Sequence, residues 1–530
     1  MGKVHWTRDQ VAQRILAGET LFILQNKVIR VPPSWLKAHP GGALAILHFV
    51  GRNATDEVDA FHSEETLRKI GAYAVAEVEV GGHGWESFLP PVMSGWVRKV
   101  GTDGQMQWHR EATTLRPLPE EVSELSPSSQ ILLVRREQLE LEAQRGPTFD
   151  TLQPGPSTLS PKVQAEHSKA YKELHRRVTD AGLYKTRYIT GYGPEIVRYV
   201  SFVLLAIFFY HKSWFLTSAF FLGLYWHQVT FTAHDLGHLG VTHDWVIDRT
   251  IAMLVANLSG GLSIGWWVDN HNIHHLVTNH PTHDPDIQHL PFFAISPVFF
   301  TSLWSSYYKR VMAFDAFAKV LITVQHKLFY VIMGLARFNL YANSYAFLAK
   351  TAFQPPKAKG GRWWWWTEVT FLGLFYCWYI RVLRGCGSWP VALGYLLISN
   401  VVPSPLHVQI VLSHFSRSTA DLGVKESFLA RQLRTTVDVI CSPSIEWIHG
   451  GLHLQVTHHL FPRLPRHNLR AASALVKEYA EKEGLEYAEF GFIDGNSEVR
   501  GVLRQVAEQA KIVGMVADAH VKEHMQGSEH

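Results

Sequence analysis

The sequence predicts an α-helical integral membrane protein with a histidine-rich polar cap, preceded by a small soluble α+β domain. Three observations predict it. Histidines gather in tight clusters, His234/His238, His271/His274/His275 and His458/His459, and a separate His39-Pro40-Gly41-Gly42 turn is followed by His62. Four stretches carry no Asp, Glu, Lys or Arg: 213–233, 250–268, 291–308 and 385–413. The first and last match the roughly 20 apolar residues that cross a bilayer. Only 18% of the 530 residues are charged while 47% are hydrophobic, against a usual charged share of about 25%.

Composition also excludes. A net charge of +4 is too small to argue for a nucleic-acid partner. Cys377, Cys386 and Cys441 form no CxxC pair and predict no disulfide framework. The opening residues MGKVHW contain no apolar core of a signal peptide, and Trp6 stands where a myristoylation signal wants Ser or Thr. Insertion is therefore expected through internal segments, with the N-terminal domain cytosolic.

The elements follow in order. Residues 1–80 form the compact domain: 21–31 (LFILQNKVIRV) alternate like a strand pair turning at Asn26-Lys27, and 53–70 suit helix. Residues 81–190, rich in Gly, Pro, Ser and Glu, read as linker and pre-membrane region with local helix over 130–144. Residues 191–465 are the membrane domain. Within it, 196–210 and 213–233 make one helical hairpin, and 363–380 and 385–413 a second. The segment 321–348, punctuated by Lys327 and Arg337, reads as interfacial rather than spanning. Trp363–Trp366 reads as an interfacial aromatic belt. Residues 466–530 form a soluble helical tail, starting from Asn468 as N-cap with Gly484 as C-cap. Two hairpins return the chain to its starting side, so the histidine clusters and the N-terminal domain share one face.

A haem iron with two axial imidazoles needs histidines from separate elements. His39 sits in a turn whose glycines allow close backbone approach, and His62, in AFHS, suits the second position. His48 follows the ALAIL run too closely to reach the opposite face. The whole segment SWLKAHPGGALAILHFVGRNATDEVDAFHS resembles the haem-binding core of cytochrome b5 domains. The resemblance implies that His39 and His62 are the ligands of a haem b that carries electrons and leaves no open coordination position.

His234 and His238 in HDLGH are four apart, on one helix face. HNIHH places His271, His274 and His275 at i, i+3 and i+4, and QVTHH repeats that spacing with Gln455 in the first position. Seven imidazoles exceed the four ligands of one tetrahedral zinc and suit two metals. Imidazole accepts iron, and a fused redox domain favours iron over zinc. His414, at the end of the last apolar run, offers an eighth ligand. Asp235, Asp269, Asp284, Asp286 and Glu446 are the candidate acceptors for the histidines' other N–H groups. His243, His280, His283, His289, His453 and His467 fall outside these spacings.

HDLGH, WWVDNHNIHH, HDPDIQHLP and LQVTHHLFPRLPRHN stand in order, and the pattern resembles the membrane fatty-acyl desaturases. It is most similar to the front-end group with a cytochrome b5 domain and Gln in the third box, above all the fungal sphingolipid 8-desaturases. His453 and the long linker depart from that pattern. The resemblance implies a di-iron centre that uses O₂ to form a C=C bond in the long-chain base of a ceramide. It also implies electrons from an NADH-cytochrome b5 reductase through the haem domain, and an endoplasmic reticulum location with haem domain and histidine boxes cytosolic. Gln455 is expected to line the active site without being a strong ligand. The rivals are a front-end acyl-lipid desaturase, a lipid hydroxylase on similar boxes, and a membrane-anchored electron carrier with structural metal.

Overall fold

The computed structural model describes residues 4–101, 103–111, 146–354 and 361–527. The helix expected over 130–144 lies outside them. The N-terminal domain opens with strand β1 (His5–Trp6) and helix α1 (Arg8–Leu16), started by a Thr7–Gln10 capping box. Strands β2 (Thr20–Leu24) and β3 (Lys27–Val31) pair antiparallel, and β4 (Ala74–Val78) completes a sheet of order β1-β4-β3-β2. The β2–β3 turn lies at Gln25-Asn26, one residue earlier than expected. Both have positive φ, 50° and 64°, as a two-residue hairpin turn requires. Helices α2 (Pro33–Ala38), α3 (Ala43–Leu47), α4 (Thr55–Phe61) and α5 (Glu64–Gly71) cover the other side.

Part of the expected linker is folded onto this domain. Strands β5 (Trp96–Val100) and β6 (Met106–Arg110) form a hairpin, and Trp108 Nε1 donates to Leu16 O at 2.8 Å. Trp85 and Phe88 are buried in the same core as Val11, Ile15 and Ile23. Isolated aromatics give no period, so the sequence pattern hid them. Helix α6 (Pro161–Asp180) was also hidden in that region. Its Pro lies at N1, and His167, Ala170, Tyr171, Leu174 and Val178 form one buried stripe at helical spacing.

The membrane domain begins with α7 (Gly193–His211) and α8 (Phe215–Gly237), which pack as the expected hairpin. Next come α9 (Trp245–Ala252), continuing into a wider turn to Ser259, and α10 (Ile264–Leu276), capped by Ser263. Helices α11 (Ala316–Thr351), α12 (Arg362–Arg384), α13 (Trp389–Val401) and α14 (Ser404–Phe415) complete it. Among the described residues, three segments are long and apolar enough to cross a membrane: Tyr188–His211, Ala316–Thr351 and Trp389–Phe415. A fourth exists if the pair Trp245–Ser259 and Ile264–Leu276, bent by 113°, counts as one. Two expectations shift here. The stretch 213–233 carries no Asp, Glu, Lys or Arg, yet α8, which contains most of it, is not among the three. It carries His227, Gln228, Thr230 and Thr232, and most of it is buried. Segment 321–348 lies inside the unbroken 36-residue α11, because Arg337 does not face water: it is 2% exposed.

The cap is finished by α15 (Phe428–Thr435), α16 (Glu446–His449), α17 (Gln455–Leu460) and α18 (Leu469–Lys482). Asn468 stands at the α18 N-cap, but its amide donates to Leu183 and Lys185 carbonyls instead of capping. Gly484 follows the helix at φ +66°, as a helix-ending glycine does. A further helix, α19 (Phe492–Gly527), packs along α11.

Candidate metal centres

The small domain presents two imidazoles at the ends of two helices: His39 follows α2 and His62 follows α4. Their ring centroids lie 6.2 Å apart. Two metal–nitrogen bonds of about 2 Å in line, plus the rings' own radii, give about 6 Å. His39 Nδ1 lies 3.0 Å from Gly42 O, and His62 Nδ1 lies 3.0 Å from Val58 O. When each carbonyl accepts the Nδ1–H, the tautomer with the lone pair on Nε2 is fixed in both rings. Burial, and after it the neighbouring His39, pushes His62 down to about 4, so it is neutral and able to bind metal. A cleft of about 430 Å³ joins the two, walled by Trp35, Ile46, Phe49 and Phe61. These residues fit a haem between two axial imidazoles.

The same cleft is lined by Leu236, His238, Asn272 and Leu276 of the cap, so the domain is seated on α10. A Cβ on Gly42 would lie 2.6 Å from Asp269 Oδ1, and Gly42 has φ +84°. Both facts require glycine there. Asp269 thus serves the domain contact. His48, read as no ligand, is fully buried and packs on His283 with centroids 5.2 Å apart.

In the cap, α8 and the residue after it supply His234 and His238, α10 supplies His271, His274 and His275, α14 supplies His414, and α17 supplies His458 and His459. All eight are buried. They fall into two groups, His234/His238/His271/His458 and His274/His414/His459, with ligand atoms in each within 4.8 Å of one another. His275 lies between them: its Nε2 is 3.1 Å from His271 Nε2, and its ring stacks on His459 at 4.0 Å. Nε2 of His234, His238, His458 and His459 meets no hydrogen-bond partner among the described residues. Buried polar nitrogens left unmatched are costly, and two metal ions would satisfy them. Burial first, then neighbouring imidazoles, holds His458 and His459 well below the ordinary histidine range. They are therefore neutral donors at pH 7.

Carboxylates orient the rings. His274 Nδ1 lies 2.9 Å from Asp284, His271 Nδ1 3.2 Å from Asp286, and His234 Nδ1 3.5 Å from Asp235. Glu446 does not join them: it pairs with Arg470 and lies 3.8 Å from His453. Gln432 takes that kind of place, with its Oε1 3.0 Å from His459 Nδ1 and its amide donating to His275 O. It lies in FLARQLRT, where no motif marks it. Gln455 is 2% exposed, and its Oε1 has no partner. It lines a cavity of about 550 Å³ with His234, His271, Asp286 and His289 at one end and Trp226, Met333, Leu406 and Ile410 beyond. A largely apolar cavity ending at clustered histidines suits a methylene chain. The two centres nearly touch, since Phe61, the residue before His62, meets His275 edge-on at 5.9 Å.

Comparison with known proteins identifies the families of the two parts. Residues 212–491 match the fatty acid desaturase family, and residues 7–82 match the cytochrome b5-like heme/steroid binding domain. The chain is 41% identical to a delta 8-(E)-sphingolipid desaturase of Emericella nidulans, over 96% of this chain and 95% of that protein. It is 38% identical to the protein of the same name from Lachancea kluyveri, over 98% and 96%. A delta(8)-fatty-acid desaturase of Helianthus annuus is 33% identical over 65% of this chain and 74% of its own length.

Proposed function

This chain belongs to the fatty acid desaturase family with a cytochrome b5-like domain at its N-terminus, and we propose that it is the one that places a double bond at the 8-position of the long-chain base of ceramide. Desaturation consumes O₂ and electrons donated by the cytochrome b5-like domain. Two adjacent methylenes lose one hydrogen each. With O₂, two electrons and two protons, those hydrogens leave as two waters. An unactivated C–H bond offers no acidic proton, so O₂ is the oxidant, metal held by the histidines would activate it, and the protein supplies placement.

In this reading, His39 and His62 hold the haem. His234, His238, His271, His275 and His458 on one side, and His274, His414 and His459 on the other, hold two irons. Asp284, Asp286 and Gln432 fix the imidazoles, and Gln455 faces the substrate at the histidine end of the apolar cavity. An NADH-cytochrome b5 reductase recharges the haem domain. The protein resides in the endoplasmic reticulum membrane, its haem domain and histidine cap cytosolic. The (E) geometry in the fungal relatives' names is proposed for this product too. The observation that carries the reading is the apolar cavity closed at one end by His234, His271 and Gln455.

The test is expression in a yeast host lacking sphingolipid 8-desaturation, followed by lipid mass analysis. A ceramide two hydrogens lighter is expected. A ceramide gaining one oxygen would establish the hydroxylase instead, and unsaturation confined to acyl chains would establish the acyl-lipid desaturase.

A further inference from the structure

The cavity that reaches the metal-binding histidines is not apolar throughout. Arg337, on α11, lines it and is 2% exposed. Its guanidinium stacks over Trp226 at 4.5 Å and donates to Gly260 O at 2.7 Å and to the Tyr341 hydroxyl at 3.2 Å. No carboxylate pairs with it among the described residues. His407, on α14, lines the same cavity and is 8% exposed, and its Nε2 is buried without a partner. Arg337 is its electrostatic neighbour. A hydrocarbon chain has no use for either group. Burying a cation and an unmatched imidazole beside it is costly, and one carbonyl and one hydroxyl use only part of a guanidinium's five donors.

We infer that Arg337 and His407 grip a polar oxygen at the head end of the lipid, and that their distance from the metal-binding histidines selects which methylenes are desaturated. This rests on the proposed lipid-desaturase reading and adds the recognition element to it. Two helices give the distance independently. Eight residues of α8 separate Trp226, under Arg337, from His234, and seven residues of α14 separate His407 from His414. At about 1.5 Å per residue these are about 12 Å and about 10 Å. A fully extended chain advances roughly 1.2 Å per bond, so either helix measures roughly eight to ten bonds. In a long-chain base, the oxygen on carbon 1 reaches carbons 8 and 9 in about eight to nine bonds. The apolar residues between the two ends, Val229, Ala233 and Ile410, line the run.

The test uses the full-length protein with His407→Leu and Arg337→Gln, each checked for wild-type haem and iron content. Three quantities are read: the double-bond position in the long-chain base, KM for ceramide, and equilibrium binding of radiolabelled ceramide to the detergent-purified protein. Both variants are expected to weaken binding about tenfold and to spread the double bond over positions flanking 8. Wild-type enzyme given a 1-deoxyceramide, with methyl in place of the carbon 1 hydroxymethyl, should show the same spread, and the variants should not worsen it. A single 8-position product with unchanged KM and binding in the variants, or on the deoxy lipid, overturns the inference. If Arg337→Gln fails to accumulate, His407→Leu alone decides, because it replaces an imidazole whose buried Nε2 has no partner with a side chain of similar size. If wild type ignores ceramide and desaturates an acyl lipid, the proposed substrate falls. The grip is then judged on that lipid by counting bonds from its carbonyl oxygen, and an unmoved double bond in the variants refutes it.

Discussion

Glu57 on α4 of the haem domain and Arg431 on α15 of the cap form an ion pair at 2.8 Å, with side chains 6% and 10% exposed. Removing one partner of a buried pair leaves the other charge uncompensated and costs about 3–5 kcal/mol. At 1.4 kcal/mol per decade, that is roughly two to three and a half decades in whatever equilibrium the pair supports. Here the pair clamps two domains, so Arg431→Met should populate an undocked haem domain. Glu57→Leu should do the same, leaving Arg431 beside the buried cation Arg52, with the Phe428 ring 5.9 Å away. Together, Arg431→Met and Glu57→Leu replace the pair with apolar contact and should recover most of the loss. The assay is stopped-flow reoxidation of the chemically reduced haem on mixing with O₂ and ceramide, alongside thermal melting. Both single variants should slow reoxidation at least tenfold, and the double variant should return towards wild type. Singles that match wild type, or a double variant no better than either single, would refute the clamp.

Other perturbations act nearer the clustered histidines. Asp284→Asn removes the carboxylate that accepts from His274 and from the Asn279 backbone N–H at 2.7 Å. Non-haem iron affinity should fall about 10- to 100-fold, with haem unchanged, as metal analysis at limiting iron will show. His39→Ala in the full chain should abolish the low-spin haem spectrum, and a retained spectrum would remove His39 from the ligand set. Gln455→His should keep its iron yet turn over poorly; wild-type rates would mean that the amide has no special role. Burial pushes the Asp56 carboxyl from 3.8 up to about 7, even though the Ser168 hydroxyl donates to it at 2.6 Å. The folded chain therefore keeps a proton that the unfolded chain has released, and stability falls as pH rises from about 4 to about 7. Asp56→Asn should flatten that slope, melting above wild type at pH 8 and alongside it at pH 4.

Some of this architecture was legible because it is periodic. The spacing of HNIHH alone places three imidazoles on one face of α10, and the ALAIL and AFHS segments frame His39 and His62. His414 showed itself only as the last residue of an apolar run. Gln432 could not be read, because its role depends on α15 lying across α10, a contact between residues 157 positions apart. Helix α6 was obscured by its charges, since one buried stripe on a mostly charged cylinder leaves composition looking like linker. Arg337 looked like an interruption of α11 because the ring beneath it, Trp226, lies on another helix. Long-range partners of this kind leave no local pattern.

The glycine turn pressed on α10 and the Phe61–His275 contact have a consequence for supply. A donor tethered and seated beside its acceptor has a local concentration set by geometry, not by how many copies the membrane holds. Once the haem is reduced, electron delivery per chain should keep its rate when the protein is diluted into excess lipid, whereas a desaturase served by a free carrier would slow. Dilution sensitivity then resides only in the encounter that recharges the donor.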